Sequence, residues 1–253
     1  EDVHACGTKE GCAEGDCGAC TVVIAENKEG KLRYKTIDSC LVFLPMIHGK
    51  QLITVENLAD ANSLHPVQQE MGNHNGSQCG YCTPGIVMSL FGLYKNHHNP
   101  EREVIEDALT GNLCRCTGYQ PIIKAAEHAC SCVDTDKFKL DEKQIIILLD
   151  GINRDRSPLE ITTSAQKYYK PLKLADALAF RNKFPGALII SGATDSALRQ
   201  TKKHEVLSEI LDISDVTELN YFIEDQQGYK IGAGLSLENL KKKKKEKLPA
   251  IHS

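Results

Sequence analysis

Three cysteines, Cys12, Cys17 and Cys20, lie within nine residues at intervals of four and two, and Cys40 follows nineteen residues later. For all three thiols to face one point, the chain must curl around it, and Gly11, Gly15 and Gly18 supply the backbone freedom for that curl. The curl also frees backbone N–H groups to bond sulfur. The fourth thiol must then arrive from a separate segment, and Cys40 sits just after a strand-like run. Cys-x4-Cys-x2-Cys with a distant fourth cysteine is plant-type [2Fe–2S] spacing. Zinc held by four thiolates is the alternative, but zinc sites usually use paired Cys-x2-4-Cys knuckles rather than one three-cysteine loop.

A second tetrad follows, Cys79-x2-Cys82 and Cys114-x-Cys116, each pair just before an expected helix start. Unsatisfied N–H groups at helix N-termini favour an anionic thiolate–metal assembly, and Arg115 adds compensating charge. Taken alone, this pattern fits zinc as well as iron. Beside the first loop it reads as a second electron-transfer cluster. Cys6, Cys130 and Cys132 are left over from an odd total of 11. That total is below the roughly 8–10% of residues that marks a disulfide scaffold, and disulfides are rare in reducing compartments.

Length and composition set the frame. A chain of 253 residues with 41% hydrophobic and 25% charged residues suits two or three globular domains. The longest aliphatic run, at 145–149, is far short of the roughly 20 residues of a membrane span. No signal-like segment opens the chain, so a cytoplasmic protein is expected. A net charge of −4 argues against binding nucleic acid through its phosphates.

The predicted architecture is α+β and multidomain. Residues 1–62 show short β-branched runs at 21–24, 32–37, 41–44 and 52–55, which predict a small sheet around the glycine-rich loop. Residues 63–132 turn helical. Pro66 opens a first helix. Thr83 reads as the N-cap and Pro84 as N1 of a second, which stops before Asn99-Pro100. A third runs over 104–109, and a fourth begins near Ile122, where Thr117 with Gln120 is a candidate capping box. Residues 133–168 read as a linker containing one short helix at 143–149. From 169 to 253 the order helix, turn, strand (187–190), turn, helical stretch, then strands at 206–213 and 229–231 predicts an α/β domain. The lysine run at 241–245 reads as a solvated helix face. The nine histidines show no ligand-like spacing, and His97-His98 reads as a polar helix end.

Three motifs carry a family resemblance: Gly7-Thr-Lys-Glu-Gly-Cys-Ala-Glu-Gly-Asp-Cys-Gly-Ala-Cys20, Gly76-Ser-Gln-Cys-Gly-Tyr-Cys-Thr-Pro-Gly85 and Gly111-Asn-Leu-Cys-Arg-Cys-Thr-Gly-Tyr119. They resemble the iron–sulfur part of the xanthine dehydrogenase (molybdenum hydroxylase) family. Pro185-Gly-Ala-Leu-Ile-Ile-Ser-Gly-Ala-Thr-Asp195 resembles that family's FAD-binding domain. The resemblance implies a partial β-grasp ferredoxin-like domain, a four-helix [2Fe–2S] domain and the start of a FAD domain. It implies cluster ligation by Cys12, Cys17, Cys20 and Cys40 and by Cys79, Cys82, Cys114 and Cys116, the second cluster being nearer the pterin. It implies pterin contact by Gln78 and FAD contact by Ile189, Ile190, Ser191, Gly192, Ala193, Thr194 and Asp195, where backbone N–H groups of a strand–turn–helix approach a pyrophosphate.

The implied function is electron transfer. Electrons leave a molybdopterin centre on a large partner subunit, pass through two clusters to FAD, then go to NAD, in xanthine or hypoxanthine oxidation. The expected assembly is a hetero-oligomer, with no catalytic acid or base on this chain. Alternatives are a free-standing [2Fe–2S] carrier, the small subunit of a related aldehyde or heterocycle dehydrogenase, and a zinc-stabilised protein. Family members place two strands and a helix before the first motif, and more of the FAD domain after residue 253. The chain therefore reads as incomplete at both ends, with an unpaired sheet edge and weak FAD binding.

Overall fold

The computed structural model describes residues 5–60, 63–131, 136–154, 157–226 and 228–243. They fall into two units, Glu1–Arg154 and Asp155–Ser253. No helix among the described residues is long and apolar enough to cross a membrane.

The first unit combines a three-stranded antiparallel sheet with a helical layer. Its strands are β1 (Thr21–Lys28), β2 (Lys31–Asp38) and β3 (Gln51–Ile53), in spatial order β2-β1-β3. β1 is central, and its first five residues are buried, which is why it reads as a continuous apolar run. β2 is an edge strand and alternates, burying Leu32 and Tyr34 between exposed Lys31, Arg33 and Lys35. The two are joined by Glu29-Gly30, both at positive φ (55° and 78°), the conformation of a tight hairpin turn.

Residues 41–44 are not the expected strand. They link two short 3-10 turns, Ser39–Leu41 and Leu44–Ile47. Pro45, with no N–H to give to a ladder, sits at the start of the second.

The helices are α1 (Pro66–Asn73), α2 (Thr83–Asn96), α3 (Arg102–Leu109), α4 (Gln120–Ser131), α5 (Lys137–Leu140) and α6 (Glu142–Ile152). α2 is buried at every position from Gly85 to Leu93, so it forms the axis around which the others and β1 pack. One core joins sheet and helices: Val23, Ile53, Ile86, Phe91, Ile105 and Ile122 are all fully buried in it. The change at 62/63 is therefore one of element type, with packing continuous across it.

Two cap expectations differ. Cys82 is the N-cap of α2 and Thr83 its first residue, the Thr83 hydroxyl bonding Ser77 Oγ at 2.7 Å. The Thr117 hydroxyl accepts from Tyr119 N (3.2 Å) and does not form a box with Gln120.

The segment 133–168, read as a linker, is largely folded. Phe138 and Leu149 are buried in the first unit's core. Glu142 accepts from Leu32 N (3.2 Å), and Asn96 Nδ2 donates to Tyr34 O (3.0 Å). Both bonds satisfy groups of edge strand β2. The apolar residues 145–149 lie on α6, which packs against β1 and β2.

The second unit has a four-stranded mixed sheet, order β4-β5-β7-β6, from β4 (Leu159–Thr162), β5 (Lys167–Lys170), β6 (Leu188–Ile190) and β7 (Glu209–Asp212). β6 and β5 both run parallel to β7. α7 (Leu174–Lys183) lies between β5 and β6 in sequence, and Phe180 on it stacks on Tyr169 with centroids 4.8 Å apart. A one-turn helix α8 (Leu198–Thr201), a hairpin of β8 (Phe222–Asp225) and β9 (Gly228–Ile231), and α9 (Leu237–Lys243) complete it. The buried Tyr168 hydroxyl donates to the fully buried Asp212 at 2.5 Å. Residues 244 and 245 of the lysine run, and Cys132, lie outside the described residues.

Candidate metal centres

The first tetrad is built by strand register. Thr21 pairs with Asp38 across β1 and β2, and the next residues outward are Cys20 and Ser39. Ser39 donates to the Cys20 carbonyl from its N–H (3.3 Å) and its hydroxyl (2.8 Å). That turn carries Cys40 to within 3.3 Å of Cys20, sulfur to sulfur. The loop then curls through positive φ at Ala13 (56°), Gly15 (80°) and Gly18 (67°). Gly11 lacks a positive φ. It is needed for room, since a Cβ there would stand 2.9 Å from Cys17 Sγ.

Glu14 N and Asp16 N donate to Cys12 Sγ at 3.4 and 3.3 Å, and Cys12 N donates to Cys17 Sγ at 3.4 Å. Burial opposes ionisation of Cys12, but these N–H groups hold its thiol below the ordinary value. Burial instead pushes Cys20 up to about 12, with Cys40 and Asp38 adding to the rise. Four thiols of which one ionises readily and another is forced close to its neighbour suit a cation that would draw the protons off.

The second tetrad lies where α2 and α4 begin. Cys82 is the α2 N-cap, and Cys79 is exposed three residues before it. The Tyr81 N–H and Cys116 lower the Cys79 thiol, whereas burial and Cys114 raise Cys82 to about 12. Cys114 is buried, yet Thr117, whose hydroxyl lies 3.1 Å from its sulfur, holds it below the ordinary thiol value. Cys114 N donates to the Tyr119 hydroxyl at 2.7 Å. Gln78, Cys79, Arg115 and Cys116 are all exposed, so this tetrad opens to solvent on one side. In chemistry and convergence, both sets fit a thiolate-bound iron–sulfur cluster.

The two loops touch. Leu113 N donates to the Cys17 carbonyl at 3.0 Å. Asn112, only 3% exposed, donates from Nδ2 to Gly18 O (3.1 Å) and Thr21 Oγ1 (3.2 Å), and accepts from Ser89 Oγ (2.5 Å). The Tyr81 hydroxyl donates to Glu10 O (2.6 Å), and Lys9 Nζ to Gly80 O (3.0 Å). Any Cβ on Gly85 would collide with the Gly18 carbonyl. Asn112 was missed in the sequence, where one polar residue in a cysteine motif has no period to mark it.

In the second unit, Ile190 is buried at the end of β6, and Ile189 is 47% exposed. Ser191, Gly192, Thr194 and Asp195 form an exposed turn around buried Ala193, with φ of 104° at Gly192 and 64° at Ala193. The turn closes through its carbonyls, Ala193 O accepting from Ala197 N and Asp195 O from Leu198 N. It lies at the C-terminal end of a parallel strand, the edge where open α/β sheets bind ligands. The helical stretch after it is a single turn, so its dipole contributes little.

Residues 54–127 match the model of the [2Fe-2S] binding domain, and residues 162–253 that of the FAD binding domain in molybdopterin dehydrogenase. A xanthine dehydrogenase of Emericella nidulans is 31% identical over 92% of this chain and 20% of its own length. Aldehyde oxidase 3 of Mus musculus is 33% identical over 93% of this chain and 21% of its own. The chain belongs to the molybdenum hydroxylase family. Within that family it is an iron–sulfur and FAD portion, and it spans about a fifth of the length of these curated relatives. A xanthine dehydrogenase of Blastobotrys adeninivorans is 53% identical over 47% of this chain and 9% of its own length. Quinoline 2-oxidoreductase from Pseudomonas putida 86 overlaps 49% of this chain and 72% of that one at 35% identity, with a TM-score of 0.44.

Proposed function

We propose that this chain carries electrons from a molybdopterin centre lying outside its 253 residues through two [2Fe–2S] clusters to FAD and on to NAD, in the oxidation of xanthine or hypoxanthine. Cys12, Cys17, Cys20 and Cys40 hold one cluster, and Cys79, Cys82, Cys114 and Cys116 the other. The clusters, when bound, supply one-electron carriage, and the flavin joins single-electron to two-electron chemistry. The observation that carries this reading is the bond from Leu113 N–H to Cys17 O, which puts the backbone of one tetrad against that of the other.

The chain's own residues shape the pockets. Glu14 and Asp16 N–H groups and the Thr117 hydroxyl stabilise thiolate charge. Asn112 fixes the separation of the loops. The exposed side of the second tetrad, with Gln78, faces the molybdopterin part. That part is a large partner subunit, or the continuation of one polypeptide as in the long relatives. Ser191, Gly192, Thr194 and Asp195 offer their exposed turn to the flavin pyrophosphate. The 53% identity to a protein named xanthine dehydrogenase supports the purine reading. The aldehyde oxidase relative, 33% identical over 93% of the chain against 31% over 92% for the Emericella nidulans xanthine dehydrogenase, makes an aldehyde the competing substrate.

Anaerobic reconstitution of the full chain should give about four irons and four sulfides and two distinct paramagnetic signals on reduction. One or two zincs and no visible absorbance would replace this reading with a zinc-stabilised protein. In the assembly purified from its source, xanthine should bleach the iron–sulfur absorbance without oxygen, and NAD should restore it. Bleaching by an aldehyde but not by xanthine would move the substrate class.

A further inference from the structure

Among the described residues, one side-chain group away from both tetrads has the chemistry of a metal site. Glu70 and His74 lie one helical turn apart at the end of α1, and His74 Nε2 is 3.2 Å from Glu70 Oε2. His128, from α4, reaches the same oxygen with Nδ1 at 3.9 Å. The two imidazole rings meet edge to face with centroids 4.3 Å apart. One donor atom from each of the three lies within 4.8 Å of the other two. A divalent ion with ligands about 2.0–2.1 Å away needs its donor atoms about 3.3 Å apart, so a small rotamer adjustment of exposed His128 completes the set.

The carboxylate is already aimed. Asn73 Nδ2 donates to Glu70 Oε1 at 3.0 Å, and Gln69 Nε2 donates to Asn73 Oδ1 at 3.0 Å, leaving Oε2 to the histidines. Orientation of a metal-binding carboxylate by a neighbouring donor is a usual companion of metal sites. The backbone beneath is fixed, since Val67 and Met71 on α1 and Ala125, Ala126 and Ala129 on α4 are buried in the shared core.

We propose that Glu70, His74 and His128 bind one divalent transition-metal ion of the zinc, nickel and copper class. Two imidazoles and one carboxylate are the ligands such ions take, and water fills the remaining position on the open side. The side chain of His128 is 61% exposed, so the ion exchanges with solvent. When bound it ties the helix leading to Cys79 to the helix following Cys116.

The test uses cluster-loaded full chain dialysed against zinc at neutral pH, with iron and zinc counted in the same digest. Wild type should retain one zinc that His74→Ala and His128→Ala each weaken at least tenfold, Glu70→Gln several-fold and His48→Ala not at all. Iron stays unchanged throughout. Equal zinc retention by wild type and a His74→Ala/His128→Ala double variant overturns the site. Failure of the iron–sulfur reading would show instead as missing iron, whatever the zinc difference.

Discussion

Asn112 is buried with both ends of its amide engaged: Nδ2 on Gly18 O and Thr21 Oγ1, Oδ1 receiving the Ser89 hydroxyl. Asn112→Ala takes the acceptor from the buried Ser89 hydroxyl and one donor each from Gly18 O and Thr21 Oγ1, which still bond each other, and leaving the Ser89 hydroxyl unpaired costs about 1–3 kcal/mol. The expected result is an unfolding free energy of the first unit lowered by an amount in that range, read from denaturant titration. It should come with weaker magnetic coupling between the two reduced clusters, read by electron paramagnetic resonance. A stability loss with unchanged coupling would mean that Asn112 packs the core without setting the loop separation. The grouping of Cys12, Cys17 and Cys20 was legible because residues of one loop lie close together in the sequence. Asn112 was not, because its carbonyl partner is 94 residues away. His128 was hidden in the same way, lying on a different helix from Glu70 and His74.

At the level of elements, α2 does most to place the chemistry. Its apolar run, buried on all sides, was readable as a helix, but the sequence did not reveal which neighbour each face meets. Gly85 opens it against the first cysteine loop, where an added Cβ would also stand 3.0 Å from the Gly18 carbonyl carbon and 3.2 Å from Ala19 Cα. These are backbone atoms, which cannot swing aside. Gly85→Ala should cost about 1–3 kcal/mol and lower the iron retained by the first tetrad more than by the second. Equal loss from both would assign the effect to the helix itself. The apolar run at 41–44 misled because a short hydrophobic stretch carries no period, and only Pro45 hinted at a turn. α6 was readable as a helix, but its docking on β1 and β2 is a tertiary fact that turned an expected tether into part of the first unit.

The molecule as a whole holds a buried polar cluster in each unit, and these give separate handles on stability. In the first, Asp136 lies between His65 (3.2 Å) and Lys95 (2.9 Å), with all three side chains at 9% exposure or less. Burial alone would raise the Asp136 carboxyl, but bonds from His65 and Lys95 hold it below its usual 3.8. A carboxyl depressed in the folded state contributes stability that is complete above its unfolded value. That stability is lost as pH falls through the folded one. The first unit should therefore lose stability as pH falls below the ordinary carboxylate range. Asp136→Asn should cost about 3–5 kcal/mol at neutral pH and flatten the acid dependence. In the second unit, Tyr168→Phe strips Asp212 of its hydroxyl donor for about 1–3 kcal/mol. Calorimetry should show each substitution moving a different transition, and one shared shift would mean the units melt together. The seam between the cysteine loops has a further consequence. A Cβ on Gly85 would stand 2.0 Å from Gly18 O and one on Gly18 would stand 2.3 Å from Gly111 O, so a side chain added at either position forces its neighbours apart. On the proposed electron path, mutational drift at that junction runs in one direction, toward slower passage of charge, and a faster descendant would have to find its gain elsewhere.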